Sequence, residues 1–337
     1  MKKLAVFLAA VITIALTGCG TDSTPSQLAY VARSSSDSWA PHAFVLNPTT
    51  QKATAVAIPI PTNAGFVSID STATKVVYGR SDDAGIDIYL MGTDGKEVQL
   101  TTDGNSQNPV FSPDGKTVAY TNQWYGFEQI ATVNTDGTNQ KVLYASGSSY
   151  YQFFPAFSPD GKSLTFYIEL AGANSASQHG LASGQASHQT QVRNTFRNNV
   201  TRHLTGSQAS GLSQNGWYVM ALTDTAPTLV YSPSDWWGPA SFSADGKKLL
   251  FTDYDGTEWN VSSVNLDGSG VTELTSSTDL PDLAPVAYKG VITFNRINNT
   301  NSSWDIYVMD QTGGSPTLVH STASTDENLV DTYWEED

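Results

Sequence analysis

Pro109-Val110-Phe111-Ser112-Pro113-Asp114-Gly115-Lys116 decides the fold, because the chain writes it more than once. It returns as Pro155-Ala156-Phe157-Ser158-Pro159-Asp160-Gly161-Lys162, and less perfectly as Ala240-Ser241-Phe242-Ser243-Ala244-Asp245-Gly246-Lys247. Weaker copies are Phe66-Val67-Ser68-Ile69-Asp70 and Pro285-Val286-Ala287-Tyr288-Lys289-Gly290. Asp114 and Asp160 are 46 residues apart, Asp70 and Asp114 are 44 apart, and Asp160 and Asp245 are 85 apart. The last spacing marks a unit that is doubled or interrupted. Self-similarity at such a period is the mark of stacked repeats.

Working outward from Asn108, four strand-like runs follow one another: Pro109–Ser112, Thr117–Thr121, Gln129–Val133 and Lys141–Tyr144, here called a, b, c and d. The a–b link is Ser-Pro-Asp-Gly-Lys and the c–d link is Asn134-Thr135-Asp136-Gly137; Asp94-Gly95 and Asp267-Gly268 fill the c–d slot elsewhere. Asp-Gly suits tight hairpins because Gly accepts positive φ and Asp tolerates it. Four antiparallel strands per ~45 residues make the blade of a β-propeller. Counting predicts an all-β, six-bladed β-propeller over residues 28–337. Its first blade starts at strand b (Leu28-Ala29-Tyr30-Val31-Ala32), and the C-terminal run Val330–Trp334 supplies the missing strand a and closes the ring. Closure removes the exposed edges of an open sheet.

Phe-Ser-Pro-Asp-Gly-Lys, followed by Asp87-Ile88-Tyr89-Leu90-Met91 or Asp305-Ile306-Tyr307-Val308-Met309 and then Leu-Thr, resembles the TolB-type (WD-repeat-like) propeller repeat. The resemblance covers nearly all of residues 28–337. It implies six blades, a place in the bacterial cell envelope, and protein binding, since the TolB propeller binds a peptidoglycan-associated lipoprotein. The chain differs in having no α/β domain before the propeller, a lipobox-like N-terminus and a long insertion. A shared fold does not fix a function.

Lys2 and Lys3 precede Leu4–Leu16, thirteen residues with Thr13 alone polar. A basic start and a short apolar run describe a secretory signal; a membrane span needs roughly 20 apolar residues. The run ends in Leu16-Thr17-Gly18-Cys19, which resembles the lipobox of bacterial lipoproteins and assigns residues 1–18 as signal peptide and Cys19 as the lipid attachment point. An ordinary signal peptide with an incidental cysteine is the alternative. Residues 19–27 read as a flexible tether. Gly20 is not the aspartate that retains some lipoproteins in the inner membrane, which favours the outer membrane if the organism has one. The expected location is periplasm or cell surface, with the membrane touched only through the lipid anchor.

Composition narrows the partners. The 337 residues carry 32 acidic and 17 basic side chains, a net charge of −15. Loss of the signal removes two lysines and no acid, giving −17. Nucleic-acid binding rests on neutralising phosphates with Lys and Arg, so DNA and RNA are poor partners. One cysteine excludes an internal disulfide, a structural Cys zinc site and a CxxC motif. A low charged fraction of 15%, with 27 Gly and 15 Pro, fits turns and strands better than long helices.

Strand direction puts the a–b and c–d turns at one end of every blade, and the b–c and d–a loops at the other. Binding usually resides on variable loops held by a rigid scaffold. The long-loop end is predicted to hold all six arginines: Arg33, Arg80 and Arg296 in blades one, two and six, and Arg193, Arg197 and Arg202 in an insertion at about 169–214. The nine lysines after the signal fall toward the tight-turn end. Large aromatics gather on the loop end of blades three to five: Trp124, Tyr125, Tyr150, Tyr151, Trp236, Trp237 and Tyr254. Arg, Trp and Tyr are the residues over-represented in binding hot spots. Arg33, Arg80 and Arg296 with these seven aromatics are the candidate ligand-binding set; local packing under loops is the competing explanation for each. The insertion also holds His179, His188 and His203, and Val192, Phe196, Val200 and Leu204 repeat every four residues. That pattern reads as a helix face or a hairpin turning at Asn198-Asn199, with 171–187 as a solvated loop.

No catalytic motif is found. Gly211-Leu212-Ser213-Gln214-Asn215 fails the G-x-S-x-G pattern at its last position, and neither H-E-x-x-H nor a P-loop occurs. Asp82, Asp83 and Asp253 are candidates for a general base, in no arrangement of two carboxylates that distance along the chain certifies. His42 and His320 follow no metal-ligand spacing, and Asp253-Tyr254-Asp255-Gly256-Thr257-Glu258 reads as a calcium loop or as a plain hairpin turn. The expectation is a monomeric, cofactor-free and metal-free binding or scaffold module for an envelope protein or a peptidoglycan or glycan component. The alternative is a carbohydrate-active enzyme, lyase or hydrolase, acting on an acidic glycan.

Overall fold

The computed structural model describes residues 28–34, 40–47, 50–82, 85–124, 127–144, 150–170, 214–233, 236–277, 281–288, 290–297, 304–321 and 327–329. The signal, the tether and residues 171–213 of the insertion lie outside them. Every named element is a strand.

The first blade holds β1 (Leu28–Ser34), β2 (Pro41–Asn47) and β3 (Lys52–Val56). The second runs β4 (Ala64–Ile69), β5 (Lys75–Asp82), β6 (Gly85–Gly92) and β7 (Glu97–Gln99). The third is β8 (Ser106–Phe111), β9 (Thr117–Trp124), β10 (Phe127–Asn134) and β11 (Lys141–Tyr144). The fourth is β12 (Tyr150–Phe157), β13 (Ser163–Leu170), β14 (Gly216–Ala221) and β15 (Thr228–Tyr231). The fifth is β16 (Trp236–Phe242), β17 (Lys248–Tyr254), β18 (Trp259–Asn265) and β19 (Thr272–Glu273). The sixth is β20 (Asp282–Tyr288), β21 (Val291–Ile297), β22 (Trp304–Asp310) and β23 (Thr317–His320), and β24 (Glu327–Leu329) follows. Six antiparallel four-stranded sheets result, five in chain order and the sixth in the order β24-β1-β2-β3. The C-terminal strand therefore completes the first blade, as the sequence predicts. It starts earlier than expected: Glu327, Asn328 and Leu329 pair with Ser34, Arg33 and Ala32, and Val330–Trp334 lies outside the described residues.

The repeated octapeptide builds one turn three times. Ser112 Oγ donates to Asp114 Oδ1 at 2.7 Å, Lys116 N–H donates to the same oxygen at 3.1 Å, and Thr117 N–H donates to Ser112 Oγ at 3.0 Å. Ser158, Asp160, Lys162 and Ser163 repeat these bonds, as do Ser243, Asp245, Lys247 and Lys248. Gly115, Gly161 and Gly246 sit at φ of 67°, 70° and 71°, the left-handed region that glycine enters without a Cβ penalty. In the second blade Asp70 occupies the place of the serine, two residues earlier than the Asp70–Asp114 spacing implies. Asp70 Oδ1 accepts from Thr74 N–H and Lys75 N–H, both at 2.8 Å, and Ala73 takes the left-handed position.

Strands b and c are buried on both faces, because a blade packs against a neighbour on each side. Val76, Val77 and Tyr78 in β5 are all fully buried. The core divides into six apolar clusters, one per interface between adjacent blades. The cluster joining the sixth blade to the first contains Leu28, Tyr30, Leu46, Leu283, Ile306 and Val319. Ring closure thus rests on a packed interface as well as on the short β24.

A bulge recurs on strand a. The a–b register slips in each blade from the second to the sixth. The first bulged residue is left-handed every time: Phe66, Asn108, Phe154, Gly238 and Ala284, with φ between 50° and 68°. Four of the five are not glycine, and left-handed backbone costs an L-residue roughly 1–2 kcal/mol. The Leu-Thr signature has its own task. Thr101 Oγ accepts from Ile88 N–H at 2.9 Å and donates to buried Asp87 at 3.0 Å; Thr275 receives Val261 N–H in the same way at 3.0 Å.

Candidate functional site

The long-loop end is built from one structurally equivalent position in each strand b. Tyr78, Tyr120, Phe166, Phe251 and Phe294 are fully buried anchors in blades two to six. Two residues beyond them come Arg80, Asn122, Ile168, Asp253 and Arg296; in β1 the matching anchor is Tyr30, Ala32 holds the corresponding place, and Arg33 comes one residue later. Below this layer the blades are alike; at it, their chemistry diverges.

Arg296 stands opposite Asp282 in the register of β20 and β21. Its Nε donates to Asp282 Oδ1 at 2.6 Å and its Nη2 to Oδ2 at 2.7 Å. The Asp282 side chain is 0% exposed and that of Arg296 20%. The guanidinium also lies over the Tyr307 ring, 4.7 Å from its centroid, and Tyr307 stacks on Phe294 at 5.8 Å. Arg80 builds a parallel arrangement from different residues. It lies 3.7 Å over Tyr89, which stacks with Tyr78 at 6.0 Å, and it pairs with Glu97 of β7 at 2.5 Å. Tyr78 also donates its hydroxyl to Glu97. Burial, then that hydrogen bond, pushes the Tyr78 phenol far above its ordinary range.

Both arginines thus grip a carboxylate, one contributed by their own blade. The sequence marks both arginines as ligand-binding candidates and gives no sign of their partners within the chain, Glu97 and Asp282. A signal for Tyr89 and Tyr307 did exist: both occupy the third place of the repeated Asp-Ile-Tyr. Asp282 and Glu97 sit in no repeated motif, so only strand register reveals them.

The other positions are also engaged. Asn122 Nδ2 donates to Asp103 Oδ2 at 2.6 Å and to Ser106 Oγ at 3.2 Å. Tyr231 donates its hydroxyl to Asp253 Oδ2 at 3.3 Å, and burial, with the Asp253 charge, raises the Tyr231 phenol. Arg33 pairs in register with Pro41 and Asn328. Among the aromatics, Tyr254 is 37% exposed and its ring lies 5.1 Å from that of Trp259. Tyr151 is half-buried and stacks on Phe153 at 6.2 Å. Trp236 and Trp237 stand opposite Asp253 and Thr252, Tyr150 opposite Leu170, and Trp124 opposite Phe127, all at the loop ends of their strands. The structure therefore brings Trp236, Asp253 and Tyr254 onto one blade end. Tyr125, Cys19 and the insertion with its three histidines and three arginines lie outside the described residues.

The calcium-like stretch is a hairpin turn. Asp255 Oδ1 accepts from Thr257 N–H at 2.7 Å, Thr257 Oγ at 2.6 Å and Glu258 N–H at 2.9 Å, while Oδ2 accepts from Asn260 at 3.1 Å. The Thr257 hydroxyl and these amides hold the Asp255 carboxyl below its usual range. His320 lies 3.3 Å from the Tyr30 hydroxyl, and His42 is exposed on β2. Among the described residues, no group of three His, Cys, Asp or Glu side chains is placed to hold a metal. No helix among them is long and apolar enough to cross a membrane.

The class that this architecture defines is the six-bladed β-propeller with a C-terminal closing strand. Comparison with solved structures makes it more specific: the fold is that of the TolB-type propellers. A structure assigned as TolB from Agrobacterium tumefaciens matches with a TM-score of 0.57 at 16% identity, over 86% of this chain and 88% of that one. TolB from Acinetobacter baumannii matches with a TM-score of 0.57 at 17% identity, over 88% of this chain and 67% of that one. An oligogalacturonate lyase from Vibrio parahaemolyticus matches with a TM-score of 0.53 at 12% identity, over 87% of this chain and 72% of that one. Searches of protein-family profiles and of curated proteins find no match. At these identities the likeness concerns the fold.

Proposed function

We propose that the protein is a lipid-anchored envelope propeller that acts as a non-catalytic binding or scaffold module. Its long-loop face takes an envelope protein or a peptidoglycan or glycan component. One observation carries this reading, the asymmetry between the two ends of the ring. The turn end repeats one hydrogen-bonded device three times. The loop end changes chemistry from blade to blade at an equivalent position, from Arg80 to Asn122 to Asp253 to Arg296. A scaffold that holds its frame constant and varies one face is suited to recognition. Export through residues 1–18, acylation of Cys19, a periplasmic or surface location and a monomeric state belong to the same proposal.

The TolB fold supports the binding role, and the oligogalacturonate lyase neighbour supports the competing one, an enzyme acting on an acidic glycan. Affinity capture from membranes, run beside an acidic-glycan screen, separates them. A single dominant envelope protein, lost with Trp236→Ala, is the expected result. Glycan turnover abolished by EDTA would overturn it.

A further inference from the structure

β1 is a strand b, so it enters the ring at the tight-turn end. Leu28 pairs with Leu46, next to the Asn47–Lys52 hairpin, whereas Arg33 and Ser34 reach the loop end. Whatever precedes Leu28 therefore leaves the propeller from the turn face. Residues 19–27 span at most ~30 Å when fully extended, and about 17 Å on average as a flexible coil. Carrying the loop face round to the anchor would consume ~23 Å along the seven residues of β1 alone. That path also has to cross the ring, since β1 is the second strand out from the centre.

The same face has a distinct charge. By strand position it carries the eight described lysines, including Lys52, Lys75, Lys116, Lys162 and Lys247. Among the described residues its acids are the nine aspartates of the tight turns and Glu97, which is committed to Arg80. Among the described residues the lysines offset most of these carboxylates, while at the loop end Arg33, Arg80 and Arg296 face a larger acidic excess that includes Asp82, Asp87, Asp103, Asp253, Asp282 and Asp305. The lysines also reach further out than the carboxylates. The side chains of Lys162 and Lys247 are 82% and 81% exposed, against 60% and 53% for Asp160 and Asp245. Those aspartates are turned back onto the amides of Lys162 and Lys247.

We infer that the tight-turn face is the membrane-facing surface of the protein. In this arrangement its projecting lysines rest against anionic phospholipid headgroups, and the loop face points away from the bilayer. This rests on the proposal that Cys19 is acylated. Anionic headgroups attract lysines within a Debye length and repel the acidic remainder, so charge and tether favour the same orientation. A partner would then be met on the side away from the membrane.

The test uses the acylated full chain in phosphatidylcholine vesicles containing phosphatidylglycerol and an acceptor dye on the headgroups. A donor fluorophore is placed at Gln311→Cys on the turn face or at Ser81→Cys on the loop face, both exposed positions. Severalfold stronger energy transfer from position 311 is expected, with the difference shrinking in the Lys116→Glu, Lys162→Glu, Lys247→Glu variant. Mass spectrometry of the N-terminal peptide reports on the anchor separately. An acylated Cys19 with equal or reversed transfer overturns the inference alone. A difference that survives the triple variant overturns the role of the lysines. An unmodified Cys19 and no vesicle attachment overturn both the anchor and the orientation.

Discussion

Arg296 and Asp282 face each other across adjacent strands, joined by two parallel hydrogen bonds of 2.6 and 2.7 Å, with the carboxylate wholly buried. This geometry fixes the loop end of the sixth blade. Removing one member of a buried pair leaves the other charge uncompensated, at a cost of ~3–5 kcal/mol. Arg296→Ala and Asp282→Ala are therefore expected to lower the melting temperature sharply. Arg296→Lys should recover little, since an ammonium cannot make the two-pronged contact.

Arg80 provides the contrast. Its pair with Glu97 is 24% and 30% exposed, so solvent screening holds its worth to about 1 kcal/mol, with a similar contribution from Tyr89 beneath it. Arg80→Ala should cost far less than Arg296→Ala in denaturant unfolding. Equal losses would contradict the assigned roles.

The turn aspartates set an acid limit. Asp114 and Asp245 are held below the usual carboxylate range, first by the hydroxyls of Ser112 and Ser243 and then by the amides of Lys116 and Lys247. A lowered folded-state pKa means that the unfolded chain binds more protons in the window between the two values. The contribution is complete above the unfolded value of about 3.9, and is lost as pH falls through the lower folded value. Melting temperature should thus fall steeply below pH 4. The Ser112→Ala, Ser158→Ala, Ser243→Ala variant should show a shallower acid dependence from a lower starting point.

The bulge predicts an unusual gain from glycine. Ala284 is buried with φ of 52°. Ala284→Gly relieves roughly 1–2 kcal/mol of left-handed strain against an entropic cost of about 0.5–1 kcal/mol. Unchanged or slightly raised stability is expected. Ala119→Gly, in the regular strand β9, should instead destabilise by about 1 kcal/mol. Thermal unfolding of the two variants side by side decides the matter.

Loop-end recognition has a direct readout. Trp236→Ala and Tyr254→Ala should reduce partner capture at least tenfold while moving the melting temperature by only a few degrees. Intact capture in both variants would place the binding surface elsewhere.

The amino-acid sequence by itself determined the blade, the blade number and the closure. Those follow from local physics: Asp-Gly turns close hairpins, Ser and Asp satisfy the turn amides, and continuous apolar runs in the inner strands fill the interfaces on both sides. Each is encoded within a few residues and repeated, so it can be read without coordinates. Sequence also placed Arg33, Arg80 and Arg296 at the loop end and the eight described lysines at the turn end, because strand direction alone sorts them. Only the tertiary structure decided what those side chains touch. Asp282 meets Arg296 across a strand register, and Glu97 reaches Arg80 from the far side of its sheet, over separations that no motif spans. The left-handed bulge was equally hidden, since Phe66, Asn108, Phe154, Gly238 and Ala284 share a backbone conformation and no side-chain chemistry.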